Sequence, residues 1–482
     1  MIKLRSKSHE LDMCSGSIFP KLIIFVIPLV LAGFLQLFFN AADMVVVGKF
    51  GSENSLAAVG ATNSLVNLLV NVFMGLSVGA NAVVARRYGA NDVKGIHDAV
   101  HTSVFLGVFS GVIVMILGIL FATPLLRLMA TPGDVIELSA LYLRIYFVGA
   151  PFSMFYNFGS AILRAVGDTR RPLYFLSVAG VVNVVLNLIF VIVFRLDVAG
   201  VAIATVASQI VSAVFVFIAL IKHTGYIRLF PKEIRVHKRE FLQIIQIGIP
   251  AGIQSSMFSI ANMVVQSSIN YLGTVVMGAC TAASSIEGFV YIGMNCFYQA
   301  VLSFVSQNFG KQDFERIKKI IFQSLLLVTA CGISLGIIVM IFHEPLLKMY
   351  MPEGGNADMI TYGLQRLKIV AVLYFLCGIM EVLVGALRGM GQSLIPMISS
   401  IIGVCGGRLL WILIVFDRFK DTAGVIVFGV HLAPLQILMF AWPVAWIATG
   451  ILHASVLIYT YKKNINRIKS LENIKVIKQI LI

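Results

Sequence analysis

Charge is scarce in this 482-residue sequence. Asp, Glu, Lys and Arg make up only 12% of it, 59% is apolar, and mean hydropathy is +0.94. A soluble domain carries about 25% charge. The deficit excludes an ordinary soluble enzyme or binding module and makes lipid the expected solvent. Phosphate-cradling motifs are missing as well. Gly48-Lys49 is followed by Phe50 and Gly310-Lys311 by Gln312, so no G-x-x-x-x-G-K-[ST] loop is present and direct ATP-driven work by this chain alone is set aside. His9-Glu10 and His343-Glu344 lack the second His of a zinc-binding H-E-x-x-H helix. The six cysteines (Cys14, Cys280, Cys296, Cys331, Cys377 and Cys405) form no C-x-x-C, so neither a metal site nor a disulfide framework is expected; they read as small core filler.

What the chain has instead is apolar runs of roughly twenty residues, long enough to cross a hydrocarbon core of about 30 Å. With no water there to satisfy the backbone, each run is expected to be a helix. Twelve are read, over about 22–47, 56–82, 98–121, 139–160, 173–194, 199–221, 242–269, 276–303, 318–342, 364–385, 395–416 and 437–460. The first run is too long for a cleavable signal and no small-x-small site follows it, so it is expected to be the first span. The fold class is thus an all-α integral membrane protein. Its expected organisation is an N-terminal six-helix bundle over 1–221, a basic cytoplasmic linker over 222–240, a second six-helix bundle over 241–461 and a basic cytoplasmic tail over 462–482.

The net charge of +15 invites a nucleic-acid reading, but its distribution argues against one. With the N-terminus in the cytoplasm and the spans alternating, 27 of the 37 Lys and Arg fall in cytoplasmic segments. Nine lie in outer segments or outer helix ends, and Arg408 lies inside a span. That is the bias of the positive-inside rule, so the charge reports topology, both termini are expected in the cytoplasm, and no nucleic-acid partner is expected. Ile465, Ile468, Leu471, Ile474 and Ile477 recur at steps of three in the tail, as in an interfacial helix, although a solvated basic tail reads equally well.

The sequence also repeats itself. Leu163–Pro172 returns as Leu387–Pro396 at an offset of 224. Tyr88-Gly89-Ala90-Asn91-Asp92 returns as Phe309-Gly310-Lys311-Gln312-Asp313 at 221, and Pro28 as Pro250 at 222. Three anchors at nearly constant offset indicate a duplicated unit. Duplicated halves, twelve spans and no nucleotide motif point to a secondary transporter with its site between pseudo-symmetric halves. Gly167 and Gly391 suit backbone of positive φ, and Pro172 and Pro396 suit the start of the following helix.

Ionisable residues within spans are expensive and are functional candidates by default. Asp43 follows Gln36 and Asn40 at i, i+4, i+7, one polar stripe whose carboxylate could take a proton or help hold a hard cation such as Na+. Asn183 and Asn187 lie one turn apart in the fifth span, with Thr205 in the sixth. Asn63, Asn67 and Asn71 form a stripe in the second span, as do Asn262, Gln266 and Asn270 in the seventh and Glu287, Tyr291, Asn295 and Gln299 in the eighth. Of these, Asn67, Asn71, Gln266, Tyr291 and Asn295, together with Asn157, are expected to line a water-accessible cavity. Glu381 in the tenth span matches Asn157 at the 224 offset. Arg408 could pair with Glu381 or Glu287, making one of those acids structural.

Taken together, several segments resemble the multidrug and toxic compound extrusion (MATE) family. They are Pro28 with Asn40-Ala41-Ala42-Asp43, Arg87-Tyr88-Gly89-Ala90, Leu163–Thr169, Gly200–Thr205 and Glu381–Gly391. The resemblance covers nearly the whole chain. It implies two six-helix bundles in a V, and export of bulky cationic or amphipathic compounds against inward H+ or Na+. It further implies a cation-coupling acid at Asp43, with Asn183 and Thr205 at other cation-site positions. Asn187 departs from the pattern, because many relatives carry Asp there; one carboxylate instead of two weakens a Na+ site in the first bundle. Some relatives use acids of the second bundle, which Glu287 and Glu381 would match. No cofactor is expected beyond the transported ion. The expected partners are small molecules and the lipid of the cell (plasma or inner) membrane, with the protein acting as a monomer. Two rival readings fit the sequence less well. A flippase for lipid-linked saccharides would line its cavity with several Arg and Lys, and only Arg408 lies within a span. A membrane-embedded lipid-modifying enzyme would need a catalytic cluster, which His223, His237, His431 and His453 do not form.

Overall fold

The structure, a computed structural model, describes residues 10–51, 55–129, 131–350, 357–427 and 430–480; within them the side chains of 56, 61, 63, 64, 67, 68, 134, 427, 430, 467–469 and 471–480 are not described. Asn63 and Asn67 therefore lie outside the described side chains, as do Ile468, Leu471, Ile474 and Ile477 of the tail. Ten helices among the described residues are long and apolar enough to cross a membrane, or twelve if each of two bent pairs is one span. The contacts divide the chain into two units, Met1–Ser256 and Met257–Ile482.

The first unit contains α1 (Ile18–Phe50), α2 (Ser55–Gly89), α3 (Val93–Leu128), α4 (Gly133–Val148), α5 (Ala150–Ala165), α6 (Arg170–Leu188), α7 (Asp197–Ile221) and the start of α8 (Lys238–Tyr271). The division falls inside α8 because its first part seats on α2 through glycine. A Cβ on Gly75 would meet the Gly252 nitrogen at 2.2 Å, and one on Gly79 the Ile244 oxygen at 2.3 Å. Small residues let backbones approach this closely within a membrane. The remainder of α8 belongs to the second unit, with α9 (Thr274–Lys311), α10 (Phe314–Ile341), α11 (His343–Lys348), α12 (Ala357–Ile369), α13 (Tyr374–Gly389), α14 (Leu394–Ser400), α15 (Gly407–Leu410), α16 (Asp417–Phe419), α17 (Pro434–Met439) and α18 (Ala441–Ile480). A short antiparallel hairpin, β1 (Val425–Val427) with β2 (Val430–Leu432), precedes α17 and was not foreseen from the sequence.

The duplicated motifs fold alike. Gly167 and Gly391 have φ of 93° and 87°. In each loop a six-to-one bond closes the helix end, from Asp168 N to Leu163 O (3.0 Å) and from Gln392 N to Leu387 O (2.9 Å), the pattern of a Schellman cap. Asn91 and Gln312, 221 residues apart, both turn left-handed. The Asp92 and Asp313 carboxylates that follow each accept a backbone N–H at 3.0 Å, from Gly95 and Arg316, capping α3 and α10.

The spans read over 139–160 and 364–385 are not straight. α4 and α5 meet at 47° around Gly149, and α12 and α13 at 42°. Pro151 explains the first break, since it cannot donate to the ladder and restrains the residue before it. The second lies in the corresponding place of the other unit but contains neither proline nor glycine. Wider π-helical turns occupy Ile189–Val193, Ile401–Gly406 and Trp411–Phe416.

Candidate functional site

In the first unit, α1 and α6 meet where Gly180 leaves room for Phe39; a Cβ on Gly180 would lie 1.7 Å from the ring. Phe39 precedes Asp43 by one turn, and Asn183 and Asn187 follow Gly180 along α6 at three and seven residues, so one helical face carries the packing contact and the polar groups together. The Asn187 amide Nδ2 donates to the Asp43 carboxylate. It also lies 3.4 Å from Asn183 Oδ1, and Asn183 Nδ2 lies 3.5 Å from Thr205 Oγ1 on α7. Thr205 closes the chain by donating to Val201 O at 2.9 Å. Asn183 and Asn187 are 4% and 0% exposed, while Asp43 and Thr205 are half-buried. Val46, Val47, Val191, Val198, Val201 and Tyr142 form the apolar wall around this polar thread, with Tyr146 packed against it.

Asn187 Oδ1 is buried and has no hydrogen-bond partner among the described residues. An orphaned buried acceptor is costly, and such groups are normally satisfied. A protonated Asp43 could supply a donor after an amide flip. A hard cation could instead draw on oxygens of Asp43, Asn183, Asn187 and Thr205. Either species suits an oxygen-rich pocket with one formal negative charge. Gln36 and Asn40, on the stripe expected to join Asp43, are exposed and make no hydrogen bond among the described residues; the partner of Asp43 comes from α6 instead.

The second unit separates its two acids. Glu287 on α9 is 5% exposed and is clamped by Arg366 of α12, Nε to Oε1 at 2.9 Å and Nη2 to Oε2 at 2.8 Å. By sequence alone Arg366 is one of the nine cations of outer segments and outer helix ends. Its partner lies 79 residues away, a pairing no local spacing reveals. Glu381 on α13 is 7% exposed and makes neither hydrogen bond nor ion pair among the described residues. Arg408 pairs with neither acid, contrary to expectation, because Arg366 has taken Glu287. It donates from Nη1 to Asn262 Oδ1 at 2.7 Å and stands over the Trp442 ring at 5.1 Å. Arg388, two turns beyond Glu381, donates to the Tyr298 hydroxyl at 2.6 Å.

Of the residues expected to line a cavity, Tyr291 and Asn295 form a ladder along α9 with Gln299, with Asn295 Nδ2 3.5 Å from Tyr291 Oη and Gln299 Nε2 2.9 Å from Asn295 Oδ1. Gln266 donates to Asn270 at 2.9 Å. Asn157 donates to Ser153 O at 2.8 Å, and Asn71 is half-buried with no hydrogen bond among the described residues. The linker docks on the start of α3 through His97 and Glu233 (2.8 Å) and through His237 and Asp98 (3.3 Å). His97, His101 and Glu233 have metal-ligand proximity. Both His101 nitrogens are already engaged, Nδ1 with His97 O (2.7 Å) and Nε2 with the Phe230 N–H (3.1 Å), so the group reads as packing.

The family model MatE matches residues 28–189 and 250–410, one match in each duplicated half. The chain is 29% identical over 414 residues to "Probable multidrug resistance protein YpnP" of Bacillus subtilis (strain 168), covering 86% of this chain and 89% of that protein. It is 27% identical over 404 residues to "Probable multidrug resistance protein NorM" of Thermotoga maritima, covering 81% and 84%. A solved outward-facing multidrug resistance MATE family transporter superposes with a TM-score of 0.82 over 97% of this chain and 99% of that one, at 21% identity.

Proposed function

The chain belongs to the MatE family of multidrug efflux transporters, and from that premise we propose that it exports bulky cationic or amphipathic compounds in exchange for an inward cation, H+ or Na+, bound at Asp43. Family members are multi-pass membrane transporters of small molecules, not enzymes. Export across the cell membrane by a monomer with cytoplasmic termini, and without a cofactor beyond the transported ion, completes the reading.

The observation that carries it is the polar thread Asp43–Asn187–Asn183–Thr205, buried at its two asparagines, with its orphaned amide oxygen. Asp43 is its single formal charge. Binding a cation there neutralises the carboxylate and removes an attraction for a cationic substrate, so ion and substrate disfavour one another. That mutual effect is the coupling free energy, and it is reciprocal. The membrane potential adds about 2.3 kcal/mol per charge per 100 mV. In the second unit Glu381 is the acid left to titrate, because the Glu287 charge is balanced by Arg366. A saccharide-lipid flippase finds less support, since of the buried arginines Arg366 is committed to Glu287 and Arg388 donates to the Tyr298 hydroxyl.

The test is efflux of a fluorescent cationic dye from cells lacking their own pumps, under an imposed H+ gradient and separately a Na+ gradient, for wild type and Asp43→Asn. Gradient-driven efflux lost in the variant supports the reading and identifies the ion. Undiminished efflux in a variant present at the wild-type level would remove Asp43 from the mechanism.

A further inference from the structure

The second unit holds a buried cation with no counter-ion among the described residues. Arg408 is 5% exposed and lies on α15, a single turn framed on both sides by π-helical segments. Such insertions are frequent at functional sites. A guanidinium has five N–H donors, yet Arg408 makes one hydrogen bond among the described residues, to Asn262, and its Nε is buried without a partner. Trp442 offers a π system at 5.1 Å, but Arg366 also draws on that ring at 5.4 Å. An aromatic face attracts cations but accepts no in-plane N–H bonds, so the donors of Arg408 remain short of acceptors. Removing charge from water without a partner is expensive, more so within a membrane.

The surroundings give this charge a route to a ligand. Asn262, its one hydrogen-bond partner, is exposed and shares a face of α8 with Gln266 and Asn270, a polar stripe that cannot face lipid cheaply. Cys377, one turn before Glu381, belongs to the same buried cluster as Trp442, the ring that Arg408 stands over. Glu381 and Arg408 thus border the same buried cluster, one acidic and one basic, yet form no salt bridge with each other among the described residues.

We propose that Arg408 is a substrate-recognition residue for a carboxylate, so that the second unit takes amphipathic zwitterions whose anionic end docks on the Arg408 guanidinium and whose cationic end lies toward Glu381. The inference rests on the export reading and narrows its substrate class. A carboxylate matches the fork of N–H donors in a way a single amide oxygen does not. Asn262, at the edge of the polar face, is the residue a bound carboxylate would join or displace.

The test uses the full-length protein in lipid nanodiscs and two probes that differ at one group, a zwitterionic rhodamine carboxylate and its cationic methyl ester, each followed by fluorescence anisotropy. Wild type is expected to bind the carboxylate more tightly than the ester. Arg408→Gln should weaken the carboxylate by about tenfold or more, the scale of a lost charged hydrogen bond, while leaving the ester within about twofold. Arg408→Lys, which keeps the charge but not the fork, should fall between. Equal wild-type affinity for the two probes overturns the proposal even if both variants fail to fold, as does an equal loss of both probes in a folded Arg408→Gln. Failure of the export reading is separate: then neither dye would move under an imposed ion gradient.

Discussion

Replacing Glu287 with Gln would leave Arg366 charged and buried without its carboxylate. The pair is bidentate, at 2.9 and 2.8 Å, with side chains 6% and 7% exposed, so water cannot substitute for the lost partner. Breaking a buried pair of this kind costs about 3–5 kcal/mol, most of it the penalty of the orphaned charge. Removing both charges, as in Glu287→Met with Arg366→Met, should recover most of that loss, because the desolvation penalty vanishes with them. Glu381 has no bonded partner to orphan, so Glu381→Gln should change stability by less than about 1 kcal/mol. The assay is reversible unfolding in mixed micelles titrated with SDS, comparing midpoints for wild type, the two Gln variants and the double Met variant. A Glu287→Gln midpoint within about 1 kcal/mol of wild type would refute the argument that this pair is structural. So would a double variant no more stable than the single one.

Three further outcomes are expected. Glu381→Gln should impair gradient-driven dye efflux more than a Glu287→Gln sample matched for folded protein, and the reverse order would mean the titrating acid of the second unit is misassigned. Gly180→Ala should push Phe39 away and shift α1 against α6, costing about 1–3 kcal/mol in the same SDS titration and lowering efflux by loosening Asp43 from Asn187; an unchanged midpoint would show that the Phe39 ring moves aside freely. Asn187→Asp would set a second carboxylate beside Asp43, a pair relieved by a shared proton or by a cation between them, so at high external pH efflux should become more dependent on external Na+. Efflux indifferent to Na+ in that variant would argue that the pocket lacks the geometry of a metal-ion site.

Much of the architecture is legible because lipid leaves few choices: an apolar run of twenty residues must satisfy its own backbone, and the offsets of 221–224 locate the duplication before any coordinate is known. The Gly167 and Gly391 turns follow from local chemistry alone. Features set by distant contacts are not legible. The bend between α12 and α13 carries no proline or glycine signal, and the π-helical turns around Arg408 have no motif. The clamp on Glu287 comes from Arg366, which looks from the sequence like a helix-end cation because the span containing it is broken. The stripe Gln36–Asn40–Asp43 shows the limit of periodicity. Spacing places three side chains along one face, but which of them is bonded depends on the neighbouring helix, and α6 meets α1 at Phe39 and Asp43 while Gln36 and Asn40 are exposed.

The central claim is that ion and substrate are linked through Asp43, and equilibrium dye binding to the purified protein measures that linkage directly. In wild type, the affinity for a cationic dye should fall as the coupling ion is raised, by lowering pH at zero Na+ or by adding Na+ at fixed pH. Linkage requires that the dye weaken ion binding by the same factor. In Asp43→Asn the dye affinity should no longer respond to that ion. A variant whose dye affinity still falls with the ion as steeply as wild type would contradict the account, because the coupling charge would then lie elsewhere.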